Sequence, residues 1–595
     1  MEEFAPEKRL LIAFTLAIVV FLGWGAWMRY KYPPPPQPVS PEAPPVASSP
    51  DSSAPAPRLS EGKPAGPPAM PVGGVQAKED TEERTFRIET DAATIELSNR
   101  GGVVRSWQLK KYRDPKGNPL ELVQGGTTGL GWPLSFALAN PEQEEKLNGA
   151  LYVANQTAGA LEAPMELVFE WSDGQVVARK QLRFARDGQC EIRTSIAATD
   201  NPIEHQLAWR GGFGEQAVAA SGTTVVPAQV FVRAPDGVRR QLAQQAGETT
   251  GWLWKSPSPF PYTGEAAYAG MEDQYFAAVF LPARPHLTVK AWTGSWTPPS
   301  APNEKEKDAV KIGAIAVGSQ NGNSLRLYVG PKLIDALEQL EVPALSTGMP
   351  ALADELVDYG WFWWIAKPLF WAMQAVHDRW VPNYGWVIVI LTILINTALF
   401  PLKLRSMESA WKMQKVAPQV KAIQARYAQY KFNDPRKQQM QQEIMALYQQ
   451  HGVNPFGGCL PMLLQIPFFF GFYKVLAISI QLRQAPWFGW IHDLSKHDPY
   501  YILPILMTIT MYISTRLTPM TTADPVQAKM MRMMPLIFGF MFLWFSSGLV
   551  LYWMVSNVVG IGQQWFINKR QREREAAEKA ARKQKKKKRP EETEE

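Results

Sequence analysis

Apolar positions change pattern twice along the chain. A run at Leu10–Met28 gives way to a proline-rich stretch. From about Thr85 to Val342 the apolar residues come in short runs, and after residue 350 they gather into long blocks. Short runs between turn residues predict strands, and long blocks predict helices. Glu166–Trp171, then Ser172-Asp173-Gly174, then Gln175–Phe184 predicts a β-hairpin, with a glycine where the turn needs positive φ. Similar runs at Ala93–Leu97, Gln189–Ile196, Val225–Val232, Tyr275–Phe280, Val310–Val317 and Ser324–Val329 extend the pattern, separated by Gly, Pro, Asn and Asp. Together they predict one large all-β sandwich.

The long blocks predict membrane spans. Tyr384–Arg405 is long enough to cross a bilayer, yet Thr392 and Asn396 sit in its middle, four apart and therefore on one helix face. Lys403 follows seven residues after Asn396, on nearly the same face. A polar stripe on a span points to a cavity or a partner helix rather than to lipid. Beyond it, Met413, Val416, Val420, Ile423, Tyr427 and Tyr430 recur at three- and four-residue spacing. Asn433-Asp434-Pro435 interrupts the pattern, and Met440, Ile444, Leu447 and Tyr448 resume it. That is an antiparallel helical hairpin over 406–451, with a kink expected at Pro418. Further spans are expected at about 458–480, 500–516, 531–545 and 549–567, the last two split by Ser546-Ser547-Gly548. Residues 350–380, with Trp361, Trp363, Trp364, Trp371 and Trp380 around Lys367-Pro368, predict a helix lying at the interface; a crossing helix is the alternative.

Charge orients these elements. The 595-residue chain carries a net +7, concentrated at Lys403–Lys437 and Lys569–Arg589, and has a mean hydropathy of −0.20. Basic segments stay in the cytoplasm, which places the hairpin and the 568–595 tail there and the β-domain, 81–345, outside the inner membrane. Leu10–Met28 lacks a small-residue cleavage site, so 1–28 reads as an uncleaved signal-anchor rather than a cleaved signal peptide, and 29–80 as an extended spacer. The fold class is thus a multi-pass α-helical membrane protein with six spans, a periplasmic all-β domain and a cytoplasmic hairpin. Cys190 and Cys459 fall in unlike regions and give no disulfide framework. No P-loop or nucleophile elbow occurs. His492, Asp493, His497 and Asp498 crowd one outer loop; without further ligands they read as loop residues rather than a metal site. No cofactor, metal or catalytic residue is expected.

Several motifs carry a family resemblance. Asn454-Pro455-Phe456-Gly457-Gly458-Cys459, Gln465-Ile466-Pro467, Trp490-Ile491-His492-Asp493-Leu494-Ser495, Asp498-Pro499-Tyr500-Tyr501-Ile502-Leu503-Pro504 and Ser547-Gly548-Leu549-Val550-Leu551-Tyr552, with the order of elements, resemble the YidC membrane protein insertases of Gram-negative bacteria. The detailed match runs over about residues 350–567; the β-domain matches by position and texture. The resemblance implies a galactose-mutarotase-like supersandwich without sugar chemistry. It also implies five core spans around a hydrophilic groove open to cytoplasm and lipid.

It further implies that short-tailed nascent membrane proteins are inserted, alone or beside the Sec translocon, and leave into lipid between Trp386–Leu402 and Tyr500–Thr515. Thr392 and Gln465 match polar groove positions and Tyr552 an aromatic of the last span. Asn396 stands where the family usually has a groove arginine. An amide cannot attract an acidic segment as a guanidinium does, so Lys403 is the candidate substitute; a plain snorkelling lysine is the alternative. The hairpin positions Met413, Val416, Val420, Ile423 and Tyr427 are expected to capture substrate. Lys585-Lys586-Lys587-Lys588-Arg589 fits ribosomal RNA phosphates and anionic lipid equally. Two other classes remain: a transporter or channel using the polar stripe, which predicts inverted repeats not visible here, and an anchored sugar sensor acting through its β-domain.

Overall fold

The computed structural model describes residues 76–588, apart from 115, 125–129, 199–200, 215–227, 250–256, 297–309, 320–322, 349–351, 431–433, 453–459 and 519–524. The anchor run Leu10–Met28, the spacer to residue 75, the Asn454–Cys459 motif and Arg589 lie outside the described residues, as do the side chains of Lys585–Lys588.

The expected hairpin forms as Met165–Ser172 paired with Val176–Phe184, in register from Met165↔Phe184 to Ser172↔Val177. Gly174 takes φ +89° in its turn. The hairpin belongs to a ten-stranded antiparallel sheet whose middle strands are Phe276–Pro282, Asn323–Pro331 and Cys190–Ala198. Two five-stranded sheets complete the domain. Their inward faces meet in a core that includes Phe86, Trp107, Phe136, Tyr152, Phe169, Trp209 and Phe280. Asn99-Arg100-Gly101-Gly102 turns between Ala93–Ser98 and Val103–Arg113 with φ +73° and +56° at the two glycines. Elements not singled out from the sequence include the eleven-residue strand Val103–Arg113, the ten-residue strand Leu287–Trp296 and the helix Pro141–Gly149 (α1), capped by the Asn140 side chain.

At the edge of this domain Glu83 accepts from Arg100 Nε at 2.8 Å and Ser98 Oγ at 2.7 Å. These bonds, the arginine's first, hold its carboxyl at about 2. Its folded pKa therefore lies below the unfolded value of about 4.3. The stability it contributes is present above that value and lost as pH falls toward 2. The pair is exposed and solvent-screened, so the effect is small. A Glu83→Gln variant of the full chain is expected to show a shallower loss of thermal stability between pH 4.5 and 2.

Past Ile334–Glu338 (α2) and Leu352–Leu356 (α3), the chain enters the helical region. One face of the ten-stranded sheet, through Phe231, Tyr268, Val279 and Leu281, shares a continuous apolar core with α2, α3 and the helices that follow. Charged groups rim this junction. Glu355 accepts from Arg233 Nε at 2.8 and 2.9 Å and from the Tyr268 hydroxyl, while Arg240 pairs with Glu272 at 2.8 Å and also reaches Glu355 O. Gln274 Nε2 donates to Ala477 O at 2.6 Å, tying the sheet to a core helix.

The helical region comprises Trp363–Arg379 (α4), Tyr384–Ala398 (α5), Phe400–Arg426 (α6), Arg436–Gln450 (α7), Leu460–Ile478 (α8), Ile502–Leu517 (α9), Pro525–Met541 (α10) and Ser547–Lys588 (α11). α4 buries Ile365, Leu369, Phe370, Met373 and Val376 and leaves Trp361, Trp363, Trp364, Trp371 and Trp380 outward, an amphipathic face of the kind expected. α6 and α7 close the hairpin over Met413, Val416, Val420, Ile423 and Ile444, with Pro418 inside α6.

Three boundaries differ from expectation. The stretch read as one span at 384–404 is two helices bent by 55° at Leu399. Pro401 has no N–H to continue the ladder of α5. The first hairpin helix therefore starts at Phe400, not Ser406. The 568–595 segment, read as a tail separate from the last span, continues α11 as far as Lys588. Among the described residues no single helix is long and apolar enough to cross a membrane; the bent pair α5–α6 passes when taken together, and Gln465–Ile478 and Ile502–Leu517 are shorter apolar helices.

Candidate functional site

The site grows from the end of α5. Thr392 is fully buried and donates to Ile388 O at 2.6 Å, so its hydroxyl hydrogen is spent on its own helix. One turn on, Asn396 Nδ2 donates to Thr392 O at 2.9 Å and to Ser556 Oγ at 3.3 Å. Ser556 Oγ also receives Gln465 Nε2 at 3.3 Å. Three helices, α5, α8 and α11, thus meet at one hydroxyl. Across the bend, Lys403 Nζ donates to Gln563 Oε1 at 3.1 Å, and Gln563 Nε2 donates to Asn396 O at 3.0 Å. Asn396, Gln465, Lys403, Ser556 and Gln563 therefore form one connected polar row. Below it Gln564 Nε2 donates to Asn568 Oδ1 at 2.8 Å, and Asn568 Nδ2 to Leu517 O at 3.0 Å.

The structure does not bring every expected residue into this row. Tyr552 is buried and stacks on Phe472 at 4.2 Å, within the apolar core. Met413, Val416, Val420 and Ile423 are buried against Ile444, with Tyr427 packed beside them. Burying these apolar faces stabilises each hairpin helix, so in this conformation they hold the hairpin together and do not face outward for capture. The tail helix is pinned to α6 by Arg574–Glu408 at 3.2 Å and Lys415–Glu575 at 3.7 Å. In the loop between α8 and α9 Asp498 accepts from Trp490 Nε1 at 2.9 Å and Leu503 N at 2.7 Å, and Asp493 from Ser495 Oγ at 2.6 Å. Both acids serve as turn and cap acceptors.

The sequence reading missed Ser556 and Gln563. Their signal was available: Tyr552, Ser556, Gly560 and Gln563 follow four-, four- and three-residue steps along one face of α11, the same test that singled out Thr392 and Asn396. The row contains carboxamides, a hydroxyl and an ammonium. Among the described residues no carboxylate pairs with Lys403. Such a set can solvate polar chain and attract negative charge; it has no nucleophile–base pair for bond chemistry.

The 60Kd inner membrane protein family model matches residues 376–575, and the YidC periplasmic domain model matches residues 85–372. The membrane protein insertase YidC of Dechloromonas aromatica is 34% identical over 582 residues, covering 94% of this chain and 97% of that protein. YidC of Aromatoleum aromaticum is 33% identical over 596 residues, covering 95% and 98%. A solved structure of an active YidC insertase with its first transmembrane domain resolved is 16% identical and covers 82% of this chain and 94% of that one, at a TM-score of 0.33, too loose an overlay to weigh beside the sequence match. Two family models that together span most of the chain, and relatives one-third identical along nearly their whole length, show that the chain belongs to the YidC family of membrane protein insertases.

Proposed function

We propose that this chain inserts and helps fold inner-membrane proteins by lending a polar row to the hydrophilic part of a substrate while the apolar part enters lipid. The observation that carries the reading is the Lys403 ammonium, without a carboxylate partner among the described residues, within the Asn396–Ser556–Gln465–Gln563 row, beside helices whose outer faces are apolar. Ile505, Ile509, Leu536, Ile537 and Phe540 are each half or more exposed, on α9 and α10. A continuous apolar exterior of that kind suits lipid, not water.

In this reading the chain has six spans with both ends and the α6–α7 hairpin in the cytoplasm and the β-domain in the periplasm. α4 lies at the membrane boundary. The substrate's tail exchanges water for the amides of the row, so its desolvation cost falls. Its apolar span gains about 0.3–0.6 kcal/mol for each mid-bilayer Leu, Ile or Phe, against a cost of about 2.5–3.5 for a charge. Twenty such positions supply the driving force without a nucleotide. Since the apolar seam of the hairpin is closed, capture falls to its exposed polar face or follows opening of the seam. The Sec translocon is the proposed partner for larger substrates. The basic end of α11 would meet ribosomal RNA or anionic lipid.

A sensor acting through its β-domain makes the opposite demand on the chain. A variant lacking most of residues 81–340, expressed in place of a resident insertase, is expected to go on inserting a small single-span protein. Loss of insertion with the shortened protein still stable in the membrane would favour the sensor.

A further inference from the structure

The bend at Leu399 puts Asn396 and Lys403 on separate helices, so the face they would share on one straight helix no longer aligns them. A single side chain restores the alignment. Gln563 donates to the carbonyl of Asn396, in the last turn of α5 where carbonyls lack ladder partners, and accepts from the ammonium of Lys403 on α6. Both functional ends of one amide are used, one on each side of the break. Gly560, one turn before it, lies beside the ammonium: a Cβ there would sit 3.4 Å from Lys403 Nζ, an ordinary contact.

We propose that Gln563 is a positioning residue for Lys403, holding its charge in line with Asn396, Ser556 and Gln465 so that the row favours substrates with acidic tails. The inference rests on the insertion reading given above. A lysine stem is long and its ammonium strongly hydrated; released from Gln563, it would swing toward the cytoplasmic water. The helix bend alone does not hold the ammonium, whose side-chain hydrogen bond among the described residues is the one to Gln563.

The test compares insertion of one single-span substrate carrying either an acidic or a neutral tail, in proteoliposomes of the full chain. Gln563→Leu is expected to lower the acidic-to-neutral ratio about tenfold, the effect of losing one hydrogen bond to a charged group. Gln563→Asn, which keeps both amide functions on a shorter stem, should lower it by less. Lys403→Met should lower the ratio as far as Gln563→Leu, and the double variant no further. A ratio that stays at the wild-type value in Gln563→Leu while Lys403→Met lowers it would overturn the positioning role alone. A further loss in the double variant would also overturn it, since Gln563 would then act independently of Lys403. An unchanged ratio in Lys403→Met would instead sink the underlying groove reading. Should Gln563→Leu fail to accumulate, the Gln563→Asn ratio decides: a selective loss supports the role, and equal loss for both tails contradicts it.

Discussion

Lys180→Met is expected to destabilise the β-domain by about 3 kcal/mol or more. Lys180 is fully buried, and its ammonium donates to Gly101 O at 2.7 Å, Gly102 O at 3.2 Å and Leu134 O at 2.6 Å. It also lies 4.1 Å from the centre of the Phe136 ring. Burial, and then the nearby Arg210 charge, push its pKa well below the usual lysine value. The three carbonyls act the other way by binding the group's hydrogens. Methionine keeps most of the stem's packing, so the loss isolates the carbonyls left without donors in the interior. The two carbonyls from Gly101 and Gly102 face inward because those residues occupy the left-handed region, a turn no β-branched side chain would adopt comfortably. Thermal unfolding of the full chain, followed by near-ultraviolet circular dichroism, is the check. A variant as stable as the wild type would show that burying the charge costs as much as its three bonds return.

Glu272→Ala should cost about 3–5 kcal/mol at the junction of the sheet and the helical region. The Glu272 carboxylate is buried between Arg240 at 2.8 Å and Lys332 at 3.3 Å. Its removal leaves two cations facing each other in a partly buried site. Arg240 also reaches the backbone of Glu355, so repulsion there loosens α3 and the Arg233–Glu355 pair. The expected sign is earlier proteolytic cleavage between residues 334 and 360 together with a lowered melting temperature. Glu272→Gln, which keeps the shape and one acceptor, should lose less. Equal cleavage rates in wild type and Glu272→Ala would mean that the apolar core beneath carries the junction by itself.

Much of the architecture could be read from spacing. The 165–184 hairpin follows from alternation and one Ser-Asp-Gly turn, and the helix order after residue 363 from apolar blocks and prolines. Lys180 shows where reading stopped short. Ala178, Lys180, Leu182 and Phe184 share the inward register of their strand, so a charge on the core side was visible, but its partners lie in turns about 45 and 80 residues away in sequence. The polar stripe on α5 was legible because Thr392 and Asn396 are four apart. Its completion was not, for two reasons: Pro401 marks a bend without giving its angle, and Ser556 and Gln563 come from the far end of the chain. Tyr552, expected as an aromatic of the groove, packs against Phe472. An aromatic ring suits a core and a groove wall equally, and only contacts tell them apart.

Insertion by the purified chain alone is the most direct measurement. The full-length protein is reconstituted in liposomes, a single-span protein with a short acidic outer tail is synthesised beside them, and protease is added outside. The expected result is a tail fragment protected inside the vesicles, in an amount that rises with the quantity of reconstituted chain. Protection no greater than in protein-free liposomes, with the chain shown to be folded and correctly oriented, would contradict it.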